Sequence, residues 1–275
     1  MRQTISACLV VYNEEKIIQH CLENLKDVVD EIVVVHDGPC TDKTLDICRQ
    51  YTNKIFIRHR IGCSEPHRPF SFEISTGDWV LWIDADEVLS QELRKNIKDL
   101  VEDSDVDLYY FIWPYTNGVR PLSISIEHPY RACLARRCKL YHYGLPHEPL
   151  RTYGNIKKVP FIMEHRPTYN NFTWNKFRTK WLPWTYIHAK WIWKDPNEIP
   201  CYGVKDKNSL LLHLERFRHR PLLKIPEKFI YHLAYQIYKG MWKIGIVGLK
   251  ITLLGAINKA TFLYYVYKYR PKKKK

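Results

Sequence analysis

Asp84-Ala85-Asp86 closes the strongly hydrophobic strand candidate at residues 79–83 and puts two carboxylates one residue apart, where both can reach one hard divalent cation. A lone pair of this kind is commonly a helix start or a solvated turn. Here Asn13-Glu14 also ends the apolar run 5–12, and Asp37 follows the run 31–35, so three neighbouring runs end in acid. Like charges gathered at one edge repel unless a cation or a hydrogen-bonded ligand compensates them. A second candidate is the segment 141–148, Tyr-His-Tyr-Gly-Leu-Pro-His-Glu, too polar and too punctuated by Gly144 and Pro146 for core; it reads as a functional loop. His165, beyond the strand-like run 157–163, is placed to be a third metal ligand or a phosphate contact, although such a histidine is more often only hydrogen-bonded. No Gly-rich dinucleotide loop follows the first run, and no Walker phosphate loop occurs anywhere.

The elements that must position these residues alternate. Residues 5–12 read as a buried parallel strand, and Ile17, Ile18, Cys21, Leu22 and Leu25 form one face of a helix leading to the strand 31–35. A helix at 42–50, a strand at 54–58, a weaker helix at 69–75 and the strand 79–83 continue the pattern. The helix 89–100 follows, with Ser90 as a cap. This predicts an α/β fold with a doubly wound, mainly parallel sheet, in which ligands sit beyond the carboxyl ends of the strands, where the acids are. Further strands are expected at 108–113, 131–135 and 157–163, with an irregular hairpin or loop around Pro114, Asn117-Gly118 and Pro121. From Thr173 onward the chain reads as helical, with Trp174, Trp181, Trp184, Trp191 and Trp193 placed mainly in packing.

The 275 residues include 43 Lys plus Arg against 29 Asp plus Glu, a net charge of +14 that calls for an anionic partner. Its distribution is more telling. Residues 1–110 carry 12 basic and 21 acidic side chains, a balance of −9, whereas 111–275 carry 31 and 8, a balance of +23. An acidic first part is a poor nucleic-acid surface and a good cation cradle. The eight cysteines contain no C-x-x-C pair and no zinc-ribbon spacing, which with the lack of a cleavable signal peptide reads as reduced thiols in a cytoplasmic protein.

The stretches SACLVVYNEE at 6–15, VVVHDGPCTDKT at 33–44 and GDWVLWIDADE at 77–87, in this order and spacing, resemble family 2 glycosyltransferases of the GT-A fold. The resemblance is close over residues 4–90 and looser to about 165. It implies inverting transfer of a sugar from a nucleotide-sugar donor, assisted by a divalent cation, Mn²⁺ or Mg²⁺. Carried onto this chain, it places Glu14 and Asp37 at the nucleoside and Asp84 and Asp86 at ribose or sugar and the metal; Tyr12 and Asn13 are counted with the donor site, and His165 with the metal, by their position in this sequence. Gly144-Leu145-Pro146-His147-Glu148 fits the G-x-x-H-E pattern of a subset related to lipopolysaccharide-core transferases, which implies Glu148 as general base and His147 as its positioning or diphosphate-binding neighbour. Inversion requires the acceptor hydroxyl to lose its proton as it attacks, a task suited to a carboxylate in reach. Arg68 stands where relatives carry polar or basic donor contacts. The flanking Glu65-Pro66-His67-Arg68-Pro69 lacks their small-residue, Asn-containing pattern, and Arg136 and Arg137 are alternatives for the diphosphate.

On this reading residues 1–110 form the nucleotide-sugar half of the domain, 111–170 the acceptor and catalytic half, and 171–275 an aromatic, basic helical extension. Residues 244–267 are apolar, but Lys250 and Lys259 interrupt them, so an interfacial helix fits better than a span. Trp242, Phe262, Tyr264, Tyr265 and Tyr267, lysines at 243, 250, 259 and 268, and the final basic cluster point to an anionic membrane surface. The expected acceptor is a lipid-linked or cell-envelope glycan on the cytoplasmic face, with no nucleic-acid partner. Two other classes stay open: a noncatalytic basic module binding phosphorylated polymers or RNA through aromatic platforms, disfavoured by the acidic edge, and a nucleotidyltransferase, which would need a triphosphate-gripping loop that residues 12–15 do not supply.

Overall fold

Period-two alternation builds the centre of the molecule. The computed structural model describes residues 2–114, 116 and 129–271. In β1 (Ile5–Val11) every residue is buried. Ile5, Ala7, Leu9 and Val11 enter one core and Cys8 enters another on the opposite face, so the strand needs cover on both sides. Helix α1 (Ile18–Leu25) covers the first face with Ile18, Cys21, Leu22 and Leu25. Then come β2 (Glu31–Asp37), the short α2 (Thr44–Cys48), β3 (Ile55–Arg58) and α3 (Arg68–Ile74), whose Phe72 covers the second face. After β4 (Trp79–Trp82) and β5 (Glu87–Leu89), α4 (Gln91–Glu102) returns to the first core through Leu93, Ile97 and Val101. Ser90 caps α4 as expected, its hydroxyl accepting from the Leu93 amide at 3.2 Å. The helix at 42–50 is shorter than its pattern implied.

The remaining elements are β6 (Leu108–Ile112), β7 (Tyr130–Arg136), β8 (Leu140–Tyr143), β9 (Arg151–Thr152), β10 (Ile156–His165), α5 (Trp174–Lys176), α6 (Leu182–Ile192), β11 (Cys201–Tyr202), α7 (Lys207–Arg218), α8 (Ile225–Tyr238) and α9 (Gly245–Lys268). The eight-stranded sheet runs β3-β2-β1-β4-β7-β6-β10-β5. Strands β3, β2, β1 and β4 are parallel, β7 is antiparallel to both its neighbours, β6 and β10 are parallel, and β5 closes the edge antiparallel to β10. A small sheet, β11-β8-β9, lies apart. This is a GT-A-like Rossmann fold with a mixed sheet and a C-terminal helical extension. Tyr141 to Tyr143 belong to β8, so the polar loop begins at Gly144; the expected turn at 117–121 falls outside the described residues.

A further core joins Tyr143 and Leu145 to Ala189 and Ile192 of α6, Leu210 and Leu214 of α7, and Phe262, Leu263 and Val266 of α9. This corrects the expectation for the tail. Phe262 is 8% exposed and is core, so the second half of α9 packs on the protein itself. The segment Met241–Lys268 is nonetheless long and apolar enough, by length and composition, to cross a membrane. All eight cysteines are free thiols, five of them buried, and burial pushes Cys133 up to about 11 and Cys8 up to about 12.

Candidate active site

The parallel strands β1, β2 and β4 deliver their carboxyl ends to one cleft of about 620 Å³. Tyr12, Glu14, Asp37, Asp84, Asp86, His147 and His165 all line it. The site residues read from the sequence therefore converge, with three exceptions: Asn13, Arg68 and Glu148 do not line the cleft.

Asn13 shapes the wall instead. It sits at φ +52°, a left-handed conformation asparagine tolerates, and exchanges side-chain hydrogen bonds with Thr41 at 2.7 and 3.0 Å. That turn presents Glu14 to the cleft, its amide donating to the Thr44 hydroxyl at 2.6 Å. Burial, with the nearby Asp86 and Asp84, raises the Glu14 carboxyl to about 7. Because its folded value lies above the ordinary 4.5, the neutral form's contribution to stability is complete below that pH and is lost as pH rises through about 7. Glu14→Gln is accordingly expected to raise the melting temperature of the metal-free protein above neutrality and to leave it nearly unchanged in acid, measured by calorimetry across pH.

Asp37 is buried and fully engaged. Its two oxygens accept from the Ile61 amide at 2.6 Å, the Gly62 amide at 2.9 Å, the His67 imidazole at 2.9 Å and the Arg60 guanidinium. Four donors use the acceptor capacity of one carboxylate. Burial would raise this group, but His67 and the two amides outweigh it and lower it. Gly62 is required here: at φ +89° it turns its N–H toward Asp37 in a conformation L side chains rarely adopt. Arg60, clamped by Asp37, lies over the Tyr12 ring with its central carbon 3.3 Å from the centroid and lines the cleft.

Asp84 is held from beneath by two arginines. Arg68 is fully buried in α3, donates to Asp84 and to the Cys8 carbonyl at 3.0 Å, and is thus an anchor rather than the donor contact expected of it. Arg131 reaches Asp84 at 3.0 Å from β7 and also binds Glu87. Burial opposes ionisation of Asp84, yet Arg131 and Arg68 hold its carboxyl below the usual range. Sequence reasoning missed Arg131; the available signal was an arginine in the otherwise apolar strand YRACLAR beside β4. Arg136 and Arg137 go to the opposite sheet end, binding Asp107 and the Gly77 carbonyl, and do not reach the cleft.

Asp86 keeps a lighter set of contacts. Its carboxylate lies 3.1 Å from His165 Nε2, and the His165 ring stacks on Trp113 with centroids 4.4 Å apart. Both face the cleft. Among the described residues no group of three or more His, Cys, Asp or Glu is assembled to hold a metal by itself. An oxygen and a nitrogen donor this close fit a hard cation whose other ligands come from phosphate and water, as Mg²⁺ usually prefers. Both oxygens of Asp84, by contrast, are engaged by arginines.

The loop after β8 separates its two candidates. Gly144 passes so close to Pro200 that an added Cβ would lie 2.7 Å from the Pro200 carbonyl oxygen. His147 adopts φ +64°, its amide donating to Glu65 at 3.1 Å, a strained backbone that turns the imidazole into the cleft. Desolvation by the surrounding cleft walls lowers its pKa, while the side chain stays open to the cleft. Glu148 points the other way, within 2.8 Å of His213 from α7 and 3.0 Å of Arg151, and is 7% exposed. Burial would raise Glu148, but His213 and Arg151 lower it. Opposite His147 stand Lys180, Trp181, Trp184 and Thr185, and Asn258 of α9 completes the wall by accepting from the Thr185 hydroxyl at 2.6 Å. Lys180 donates to the Tyr169 hydroxyl at 2.7 Å.

The profile of glycosyl transferase family 2 matches residues 6–185, from the start of β1 to the helix that walls the cleft. The chain belongs to glycosyl transferase family 2. It is 31% identical over 138 residues to an uncharacterized glycosyltransferase of Rickettsia bellii, covering 48% of this chain and 45% of that one. It is 26% identical over 178 residues to the glycosyltransferase SunS of Bacillus subtilis, covering 62% and 40%. The chain thus spans less than half the length of these relatives. Similar solved structures include S. aureus TarS 1-349 in complex with UDP-GlcNAc, at 14% identity, TM-score 0.48 and coverage of 97% and 91%. Another is glucosyl-3-phosphoglycerate synthase from Mycobacterium tuberculosis in complex with Mn²⁺ and UDP-glucose, at 19% identity, TM-score 0.41 and coverage of 60% and 71%.

Proposed function

We propose that this family 2 glycosyltransferase moves a sugar with inversion from a nucleotide-sugar to a lipid-linked or cell-envelope glycan on the cytoplasmic face of a membrane. The observation that carries this reading is the Asp86–His165 pair, poised over an arginine-anchored Asp84 in a cleft that also holds Arg60 and Lys180. Asp86 and His165 would hold Mn²⁺ or Mg²⁺, which when bound supplies charge neutralisation for a leaving nucleoside diphosphate. Lys180 and Arg60 are the nearby cations expected to share that task.

The base is assigned to His147 rather than Glu148, because His147 faces the cleft and its lowered pKa keeps the imidazole neutral and able to take a proton at neutral pH. Glu148 then holds the loop through His213 and Arg151. The nucleoside is assigned to Tyr12, Glu14 and Arg60, with Asp37 acting through Arg60 since its own oxygens are taken. Arg60→Ala is expected to weaken nucleoside-diphosphate binding about tenfold, the order of one lost charge-assisted contact. Titration calorimetry checks this, and unchanged affinity would remove Arg60 from the site.

The reading as a whole is tested by screening nucleotide-sugars for binding and slow hydrolysis, with and without Mn²⁺ or Mg²⁺. Cation-dependent binding of one donor is expected. Binding of RNA or phosphorylated polymers in place of any nucleotide-sugar would overturn it.

A further inference from the structure

Helix α8 is patterned inside out. Its one buried residue is Gln236, and His232 packs against α9 at Gly255, while Ile230, Tyr231, Ile237 and Tyr238 are 56–83% exposed. Gln236 Oε1 and His232 Nε2 are buried without a hydrogen-bond partner. In water a helix turns its apolar face inward, so this arrangement stabilises the protein only if something apolar covers the outside. The apolar surface continues onto both neighbours. Leu223 precedes α8, and Trp242, Ile246, Leu249 and Leu253 follow it, each more than half exposed.

The charge around this surface selects the occupant. Between residues 216 and 275 the chain carries 15 Lys or Arg and a single carboxylate, Glu227. Lysines 224, 228, 239, 243 and 250 are interleaved with the exposed rings and aliphatics. A second copy of the chain would bring the same cations face to face, whereas an anionic bilayer offers acyl chains for the apolar residues and phosphates for the lysines. We propose that α8, the turns on either side of it and the first half of α9 form a membrane-docking face that lies on an anionic bilayer. The face is centred on residues 222–253 and excludes the second half of α9, which is core.

The placement matters for the cleft. Leu253 on this face and Asn258 on the cleft wall are five residues apart on one helix, a rise of about 7.5 Å. Docking therefore brings this wall of the cleft, and with it the site of transfer, to within about two helical turns of the headgroups. This last point rests on the transferase reading; the docking face does not.

The test is co-flotation of the full chain with vesicles of phosphatidylcholine alone and of phosphatidylcholine mixed with phosphatidylglycerol. Flotation with the anionic vesicles only is expected. It should fall about tenfold or more in the combined variant Ile230→Ser, Tyr238→Ser, Trp242→Ser, Ile246→Ser, and become insensitive to salt when Lys228, Lys243 and Lys250 are changed to Gln. These side chains are exposed, and an unchanged melting temperature shows that the variants fold. Equal flotation of the serine variant, or a wild-type dimer that stays off vesicles and becomes monomeric in that variant, would overturn the proposal. Normal flotation by a chain that binds no nucleotide-sugar would sink the transferase reading and leave docking intact.

Discussion

Asp86→Asn is expected to lower cation-dependent transfer by at least about a hundredfold while leaving the melting temperature within a degree or two, the order seen when one transition-state charge contact is removed. Asparagine keeps the shape and one oxygen able to meet His165, so the fold should hold; it loses the negative charge that draws a dication. The carboxylate is only partly buried and, among the described residues, its side-chain partner is His165, so little else depends on it. Asp84→Asn is the contrasting variant. It strips the fully buried Arg68 of its anion and leaves Arg131 with Glu87 alone, and should destabilise the protein as well as inactivate it. Initial rates over a Mn²⁺ titration, paired with thermal melts, separate the two. If Asp86→Asn retains wild-type Mn²⁺ dependence, the cation is held elsewhere.

The second large effect is at His147. His147→Gln should cut kcat by about 10²- to 10⁴-fold with nucleotide affinity preserved, the range for loss of a general base. The sign of the pH dependence follows from the lowered pKa. A base works deprotonated, so activity is present above the His147 pKa, which lies below the ordinary 6.5, and is lost as pH falls through it. That acidic limb should vanish in His147→Gln. Glu148→Gln should behave differently, because removing the carboxylate frees Arg151 and His213 and loosens the loop, lowering the melting temperature and both kinetic constants. A Glu148→Gln enzyme that is inactive at unchanged melting temperature, beside a His147→Gln enzyme that still turns over, would return the proton to Glu148.

Much of the fold was legible because it depends on local period. Apolar runs with alternating faces became β1, β2 and β4, and the acids after them met because parallel strands share one carboxyl edge. The positions of Arg68 and Arg131 were not legible. Whether an arginine beside a D-x-D motif points into the cleft or beneath it depends on register between strands far apart in sequence, here β4 against β7. The His147–Glu148 pair shows a similar limit. Two adjacent residues diverge because His147 takes a left-handed backbone and because His213, more than sixty positions away, collects Glu148. In the tail, composition located the lysines and rings, but only packing decided that Phe262 turns inward while Ile246 turns out.

The hydrogen bond from Thr185 to Asn258 crosses the end of the family match at residue 185. Trimming the chain at that boundary, a natural choice for producing a minimal enzyme, would remove one wall of the cleft along with Ala189, Phe262, Leu263 and Val266, leaving Tyr143 and Leu145 bare. His213, the clasp on Glu148, would go with them. Shortened forms are therefore poor reagents for separating lipid attachment from catalysis. Point changes on the outer face of α8 do that job, and any catalytically useful minimal chain must extend through Val266.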